Sequence, residues 1–135
     1  MKIEPYLFFE GRCDEAIAFY RDALGAELMM LTRYRDSRDS AQCAPHMLDG
    51  VMHAALRVGD SVLMLSDGFV NGTPQFEGFA VSMTVDDDAS ARRCFDALAR
   101  DGTVKAPLES TFFASSFGMV ADRFRVTWMV MKANP

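Results

Sequence analysis

Apolar and polar residues recur with two different periods in the first half of the chain. Residues 5–9 form a short apolar run that Glu10 and Gly11 close, which is typical of a buried β-strand. From Asp14 onward, apolar residues return every three or four positions as far as Gly25, and this period predicts a helix of about three turns. Three further runs are predicted strands: residues 27–34, 51–58 and 62–66.

The second half of the chain repeats this order. Residues 79–85 are a predicted strand, and the acidic run 86–88 supplies the cap and the negative charge that favour the start of a helix. Apolar residues then recur at helical spacing until Gly102, where we predict that the helix ends. Three predicted strands follow: residues 104–110, 113–121 and 127–132.

The two halves superpose when Phe19 and Tyr20 are laid on Cys94 and Phe95. Each half is then a strand, a helix and three strands, and repetition of a whole unit restricts the topology more than any single element does. We therefore predict a single domain with an α+β fold of two βαβββ modules. The modules are residues 1–70 and 79–135, joined by a connector at residues 71–78.

Length and charge narrow the class of protein. With 135 residues, of which 50% are hydrophobic, the chain fits one compact folded domain. Its formal net charge of −5, without a basic stripe to neutralise phosphates, predicts no nucleic-acid partner. The apolar run near the start is far too short for a signal peptide or a membrane span, so we expect a cytoplasmic protein without a membrane partner. Its 3 cysteines have neither metal-site nor disulfide spacing and are predicted to be reduced thiols.

Three segments resemble one known superfamily. They are PYLFFEGRCDEAIAFYRDALGAE near the start, MHAALRVGDSVLMLSD in the middle and TFFASSFGMVADRFRVTWMV near the end. On these segments the chain resembles the vicinal oxygen chelate superfamily, which includes glyoxalase I, extradiol dioxygenases and bleomycin-resistance proteins, and within it the PhnB-like subgroup. The resemblance implies that each module curls its mixed sheet into half of a barrel, with helices outside and a ligand cleft enclosed by the concave faces.

The resemblance also implies where a metal site would lie. Metal-dependent members carry a ligand, typically His or Glu, on the first and fourth strands of each module. The spacing of this chain puts those positions at Pro5, Met64, Ala80 and Met129, and none of these residues suits a divalent ion such as zinc. We therefore expect no metal site of the usual kind and no cofactor.

Other positions depart from the pattern of the subgroup. Arg125 stands where related sequences have glycine, so its turn is expected either to avoid a positive φ or to be strained. Phe113, Ser115 and Ser116 stand where relatives more often carry Trp, His and Gly. Activities that depend on those side chains are not expected to carry over.

Strand alternation predicts which side chains line the cleft. If Met64 and Met129 face it, four neighbouring residues pack under the helices instead: Leu63, Leu65, Trp128 and Val130. The predicted ligand-binding residues are Leu7, Phe9, His53, Arg57, Met64, Ser66, Ser82, Thr84, Met129 and Met131. They form a mainly apolar surface with a few hydroxyls, which suits a small apolar or aromatic ligand, including one with an anionic group held by Arg57.

His53 and Arg57 are the candidate catalytic residues. Alternation puts both on one face of strand 51–58, where a histidine that carries a proton and an arginine that holds an anion suit a small acidic substrate. The structural alternative is a hydrogen-bonded strand histidine or a dimer contact, beside a solvated arginine. His46 lies in the polar loop without a partner at metal-ligand spacing, and Asp67 at a strand end can either cap backbone groups or reach the mouth of the cleft.

The sequence leaves three functions open. The first is a metal-independent small-molecule-binding protein of the glyoxalase/bleomycin-resistance type. The second is an enzyme, of lyase, isomerase or dioxygenase-like character, that uses His53 and Arg57 or a displaced metal site. The third is a structural or regulatory dimer without a ligand. We also predict a homodimer, because a two-module sheet leaves strand edges that a second copy can cover.

Overall fold

The chain folds into two compact units, Met1–Pro74 and Gln75–Pro135. A computed structural model describes residues 1–37, 43–68 and 73–134. In its described residues each unit has one α-helix and a four-stranded mixed sheet, so the predicted α+β fold of two βαβββ modules is confirmed. The predicted connector at residues 71–78 begins outside the described residues, and so does part of the polar loop, residues 38–42.

The first unit follows the predicted order of elements. They are β1 (Tyr6–Phe8), α1 (Cys13–Leu24), β2 (Glu27–Arg33), β3 (Val51–Val58) and β4 (Ser61–Ser66), with single-turn 3₁₀ helices at Tyr34–Asp36 and Pro45–Met47. The sheet order is β1-β4-β3-β2, in which β1 is parallel to β4 and the other pairs are antiparallel. Gly25 ends α1 at φ +66°, a left-handed conformation that glycine adopts without a steric penalty.

The second unit repeats this topology. Its elements are β5 (Val81–Thr84), α2 (Asp88–Leu98), β6 (Thr103–Glu109), β7 (Ala114–Ala121) and β8 (Thr127–Ala133). The sheet order is β5-β8-β7-β6, with β5 parallel to β8. Asp87 caps α2, as the acidic run predicts, because its carboxylate accepts the Ser90 N–H at 2.6 Å.

The predicted end of the second helix at Gly102 is wrong. The helix α2 ends at Leu98, and the residue that takes a left-handed φ after it is Asp101, at +59°. Gly102 lies where there is no room for a side chain, since a Cβ there would lie 2.3 Å from the carbonyl oxygen of Ala121. The glycine therefore permits close backbone approach to β7 rather than ending the helix.

The turn at Arg125 is strained, which is one of the two outcomes expected for a residue that replaces glycine there. Its φ is +72°, and its N–H donates to the Asp122 carbonyl at 2.8 Å. The buried carboxylate of Asp122 accepts from the backbone N–H groups of Phe124 and Val126 and from the indole N–H of Trp128. This local network holds the turn in place although the position favours glycine.

Each sheet buries one face under its helix. In the first unit, Leu7 and Leu65 are buried, and Phe9, on the same side of the chain as Leu7, has its ring centroid 6.3 Å from that of Tyr20 on α1. In the second unit, Gly118 of β7 lies against Phe95 of α2. The predicted burial of four strand residues is confirmed: Leu63, Leu65, Trp128 and Val130. Among the described helices, none has the length and apolar character needed to cross a bilayer.

Candidate functional site

The pairing of β1 with β4 decides which side chains share a face of the first sheet. Opposite one another lie Tyr6 and Met64, Leu7 and Leu65, and Phe8 and Ser66. Residues paired across neighbouring strands project from the same face. Leu7 and Phe9 therefore point toward α1, and the prediction that they line the same face as Met64 is wrong. A difference of one residue in register reverses every side chain of a strand.

The face of the first sheet away from α1 carries a group of aromatic side chains. We call it the aromatic face, and its members are Tyr6, Phe8, His53, Met64 and Ser66. All except Ser66 are half-buried. The predicted placement of His53, Met64 and Ser66 on one face agrees with the register of β3 and β4, whereas Tyr6 and Phe8 occupy the places predicted for Leu7 and Phe9.

Tyr6 connects the rings of the aromatic face. Its ring centroid lies 5.0 Å from that of Phe8, with the planes 24° apart, and 5.5 Å from that of His53. The Tyr6 hydroxyl and Nδ1 of His53 are 2.7 Å apart, which is a hydrogen bond. Burial raises the pKa of Tyr6 above its ordinary value, and a hydrogen bond with Ser66 acts in the opposite direction. Tyr6 is therefore a neutral phenol at neutral pH, able to donate its proton.

Arg57 lies on the same face as His53 but at a distance from it. Four residues along a strand span about 13 Å. The Arg57 guanidinium forms an ion pair with Glu27 on the neighbouring β2, and both side chains are more than half exposed, so the pair adds little stability. The geometry shows a hydrogen-bonded strand histidine and a solvated arginine, which is the structural alternative. A catalytic or ligand-binding role for either residue stays a prediction.

The corresponding face of the second sheet is rich in methionine. We call it the methionine face, and its members are Ser82, Thr84, Phe117, Met119, Met129 and Met131. The register pairs Ser82 with Met129 and Thr84 with Met131, in agreement with the predicted grouping. The three methionines and Phe117 are half-buried, whereas the two hydroxyl residues are exposed. Their role in ligand binding, and the predicted cleft shared by both modules, stay predictions.

Asp67 serves the fold of the first unit. Its side chain is buried, and one carboxylate oxygen accepts the backbone N–H groups of Gly11 at 2.7 Å and Cys13 at 2.9 Å. The other oxygen accepts the N–H of Val51 at 2.9 Å. Asp67 thus ties the start of α1 to β3, which is the capping alternative for this strand-end carboxylate.

The residues at the superfamily's ligand positions do not fit a divalent metal ion. In the observed register, Tyr6 rather than Pro5 shares a face with Met64, and Ser82 shares one with Met129. These side chains offer thioether, phenol and hydroxyl groups, whereas such ions are held by imidazole, carboxylate or thiolate groups. Within residues 1–37, 43–68 and 73–134, no group of three or more His, Cys, Asp or Glu side chains is placed to hold a metal.

The fold and the residues of these faces define the class of protein. A family model of the glyoxalase/bleomycin resistance protein/dioxygenase superfamily matches residues 2–130, and the chain belongs to this superfamily. It is 34% identical to protein YjdN of Escherichia coli (strain K12) over 145 residues, which cover 100% of this chain and 99% of YjdN.

Solved structures show the same fold along the whole chain. Protein PA1353 from Pseudomonas aeruginosa is 41% identical with a TM-score of 0.89, and the match covers 100% of this chain and 99% of that one. The PhnB protein from Bacillus cereus is 29% identical with a TM-score of 0.81, covering 98% of this chain and 100% of that one. The resemblance to PhnB-like proteins inferred from three segments is confirmed.

Proposed function

We propose that this protein binds a small, flat and mainly apolar molecule on the aromatic face of its first unit. The observation that carries the proposal is the contiguous set of half-buried rings, Tyr6, Phe8 and His53, on a sheet face that α1 does not cover. Adjacent rings that keep part of their surface exposed offer stacking area to a planar ligand. Met64 adds a flexible, polarizable side chain that adapts to the outline of a ligand.

The apolar character of the face sets the expected affinity. Burying ~200 Å² of apolar ligand surface at about 25 cal/mol/Å² contributes roughly 5 kcal/mol before the costs of association. Binding is therefore expected in the micromolar range or weaker. The ion pair of Arg57 with Glu27 already engages the guanidinium, so Arg57→Met is expected to weaken anionic ligands only modestly.

Titration of a ligand into two variants of Met64 tests the proposal. Flat aromatic compounds are screened by thermal shift, and any that stabilise the protein are titrated by calorimetry. Met64→Lys places a charge among the rings and is expected to abolish binding, whereas Met64→Leu keeps the apolar surface and most of the affinity. His46→Ala, in the exposed 3₁₀ helix of the loop, is the distant control. A ligand that binds Met64→Lys as tightly as the parent would contradict the site.

An enzyme that uses His53 is the second candidate function, favoured by the hydrogen bond between the Tyr6 hydroxyl and Nδ1 of His53. A histidine held by a neighbouring hydroxyl has the orientation that acid or base catalysis requires. Each ligand found in the screen is incubated with the protein and followed by NMR. A product formed by the parent but not by His53→Phe would establish catalysis. A ligand recovered unchanged from both proteins would show that it is bound and not converted.

The proposal includes metal-independent binding. After dialysis, elemental analysis is expected to find well below one zinc, nickel, iron or manganese ion per chain, because the ligand positions carry none of the usual groups and the imidazole of His53 stands without a second such group on its face. Near-stoichiometric metal that is lost in His53→Ala would contradict this expectation and the placement of the ligand positions.

We further propose a cytoplasmic homodimer. The three cysteines are free thiols, as is usual in a reducing compartment. The edge strand β2 exposes three consecutive apolar residues, Leu28, Met29 and Met30, by 37%, 54% and 48%. A second copy of the chain is the partner that symmetric assembly makes simplest for such a patch.

A further inference from the structure

We infer that Tyr6 fixes the tautomer of His53, so that the imidazole presents its Nε2–H as a hydrogen-bond donor to the ligand. This donor narrows the proposed class of ligand to flat apolar molecules that carry a carbonyl or another oxygen acceptor. This inference rests on the proposed function for the presence of a ligand, but the tautomer itself is a property of the free protein.

The contact between Tyr6 and His53 restricts the position of the imidazole proton. A neutral imidazole has one nitrogen that donates and one that accepts, and a phenol has a single proton to donate. At 2.7 Å, either the Tyr6 hydroxyl donates to Nδ1, or Nδ1–H donates to the phenolic oxygen. The second arrangement leaves the proton of a half-buried phenol in need of another acceptor.

Ser66 is a poor acceptor for the Tyr6 proton. Its hydroxyl oxygen already accepts the Gly68 N–H at 2.9 Å. Its hydrogen bond with Tyr6 lowers the pKa of the phenol, which is the effect of a hydroxyl that donates to the phenolic oxygen rather than accepting from it. Nδ1 of His53 is thus the best acceptor for Tyr6, which puts the imidazole proton on Nε2.

Nε2 remains available for a ligand. In the part of the chain that the structure describes, the protein hydrogen bond of the His53 side chain is made through Nδ1. His53 is half-buried on the aromatic face, where Phe8 and Met64 are apolar neighbours. A single oriented donor on an apolar surface favours ligands that have an acceptor over analogues that lack one, because an unpaired polar group costs binding energy.

Nitrogen-15 NMR of histidine-labelled protein tests the tautomer without a ligand. The chain has 2 histidines, and exposed His46 is the internal reference for His53. At about pH 8.5, where ordinary imidazoles are neutral, we expect the Nε2–H tautomer for His53. Tyr6→Phe keeps the ring and removes the hydroxyl, and should move His53 to the tautomer mixture shown by His46. A proton on Nδ1 in the parent, or a tautomer that Tyr6→Phe leaves unchanged, would overturn the inference.

A pair of matched probes tests the ligand class. The probes are 2-acetylnaphthalene, which has a carbonyl acceptor, and 2-ethylnaphthalene, which has the same outline without one. The parent is expected to prefer the ketone by about fivefold, the size of one neutral hydrogen bond. His53→Phe should remove the preference for the ketone and keep the affinity for the apolar probe. Phe8→Leu leaves the hydrogen bond of His53 intact, so it should lower the affinity for both probes and keep the preference for the ketone.

The possible results separate the inference from the proposed function. A parent without preference for the ketone, or a His53→Phe variant that retains the preference, would overturn the inferred donor. Failure of both probes to bind the parent at millimolar concentration would instead contradict the proposed apolar binding site. The NMR result decides the tautomer in either case.

Discussion

The backbone of Arg125 is strained. Its φ of +72° lies in the left-handed region, which costs a residue with a Cβ roughly 1–2 kcal/mol. Arg125→Gly is therefore expected to raise the free energy of unfolding by about 1 kcal/mol, after the greater freedom of glycine in the unfolded chain is subtracted. Urea denaturation followed by circular dichroism measures this change.

A glycine with the same backbone conformation supplies the control. Gly25 has φ +66°, and a Cβ added there meets no atom within 4 Å, so Gly25→Ala introduces strain without a clash. It should lower the free energy of unfolding by about 1 kcal/mol. If Arg125→Gly is no more stable than the parent while Gly25→Ala is destabilised, the strain assigned to Arg125 is wrong.

Cys13 should be the least reactive of the three thiols. It is fully buried, and desolvation, reinforced by the negative charges of Asp67 and Asp14, raises its pKa above the ordinary value for a thiol. Because the thiolate is the reactive form, a raised pKa keeps the reactive fraction small at pH 7 and delays its appearance as the pH increases. Iodoacetamide should therefore label half-buried Cys43 first, at about pH 7 to 9, and spare Cys13.

Peptide mass spectrometry locates the label on each cysteine. In denaturing urea the burial is lost, and all three thiols should react at similar rates. Labelling of Cys13 in the folded protein as fast as Cys43 would contradict the predicted protection.

Residues whose roles depend on nearby sequence were predictable, and those that depend on distant partners were not. Asp87 caps α2 because it precedes a helical pattern directly. Tyr6 matters because it meets His53, which is 47 residues away along the chain. Alternation along β3 correctly predicts the face on which His53 lies. Residues 5–9 contain no local signal that shows which of their side chains share a face of the sheet with Met64 of β4.

At the scale of elements, the contact of α2 with β7 requires a residue without a side chain. A Cβ on Gly118 would lie 2.7 Å from Cε2 of Phe95 and 3.0 Å from Cα of Leu108. Gly118→Ala is therefore expected to lower the free energy of unfolding by about 2 kcal/mol, since both the ring and the backbone of β6 have to move. Chemical denaturation measures the loss.

A second substitution identifies the cause of that loss. Phe95→Leu shortens the side chain that faces Gly118, so the double variant should be more stable than the sum of the two single losses predicts. Strictly additive losses would show that contact with Phe95 is not the source of the destabilisation.

The strands and helices were predictable because their periods differ, but two features of them were not. Alternation correctly grouped Ser82 with Met129, since β5 and β8 pair in phase with the predicted facing. For β1 the same reasoning assigned Leu7 to the wrong face, because the register of a parallel pair depends on packing across the sheet. The pattern predicts a helix end at Gly102 because glycine commonly follows a helix, but glycine also permits close backbone contacts, and only the packed structure distinguishes these two uses.

For the whole molecule, a repeated fold does not imply repeated chemistry. Both units have the same order of elements and equivalent strand orders, as the internal repeat predicts. The aromatic face nevertheless offers rings and an oriented imidazole, whereas the methionine face offers thioethers and hydroxyls. The side chains of each face therefore decide what it can bind, since the fold alone is shared by proteins of different activity.

The exposed apolar residues of β2 determine how we expect two copies of the chain to associate. Met29 is the extra residue of a bulge in β2, and bulges disfavour strand pairing at an edge, so we expect the proposed dimer to form through side chains. Met29→Lys should weaken it by placing a charge in the patch formed with Leu28 and Met30. Val104→Lys, on the edge strand β6 of the second unit, changes a residue of similar exposure and should leave the dimer intact.

Light scattering at micromolar concentration distinguishes these outcomes. The parent and Val104→Lys are expected at twice the chain mass of 15.0 kDa, and Met29→Lys is expected at a mass that falls toward the monomer on dilution. A monomeric parent would contradict the dimer. A dimer that Val104→Lys weakens and Met29→Lys does not would move the interface to the edge of the second sheet, because a charge destabilises an apolar contact only where it is buried.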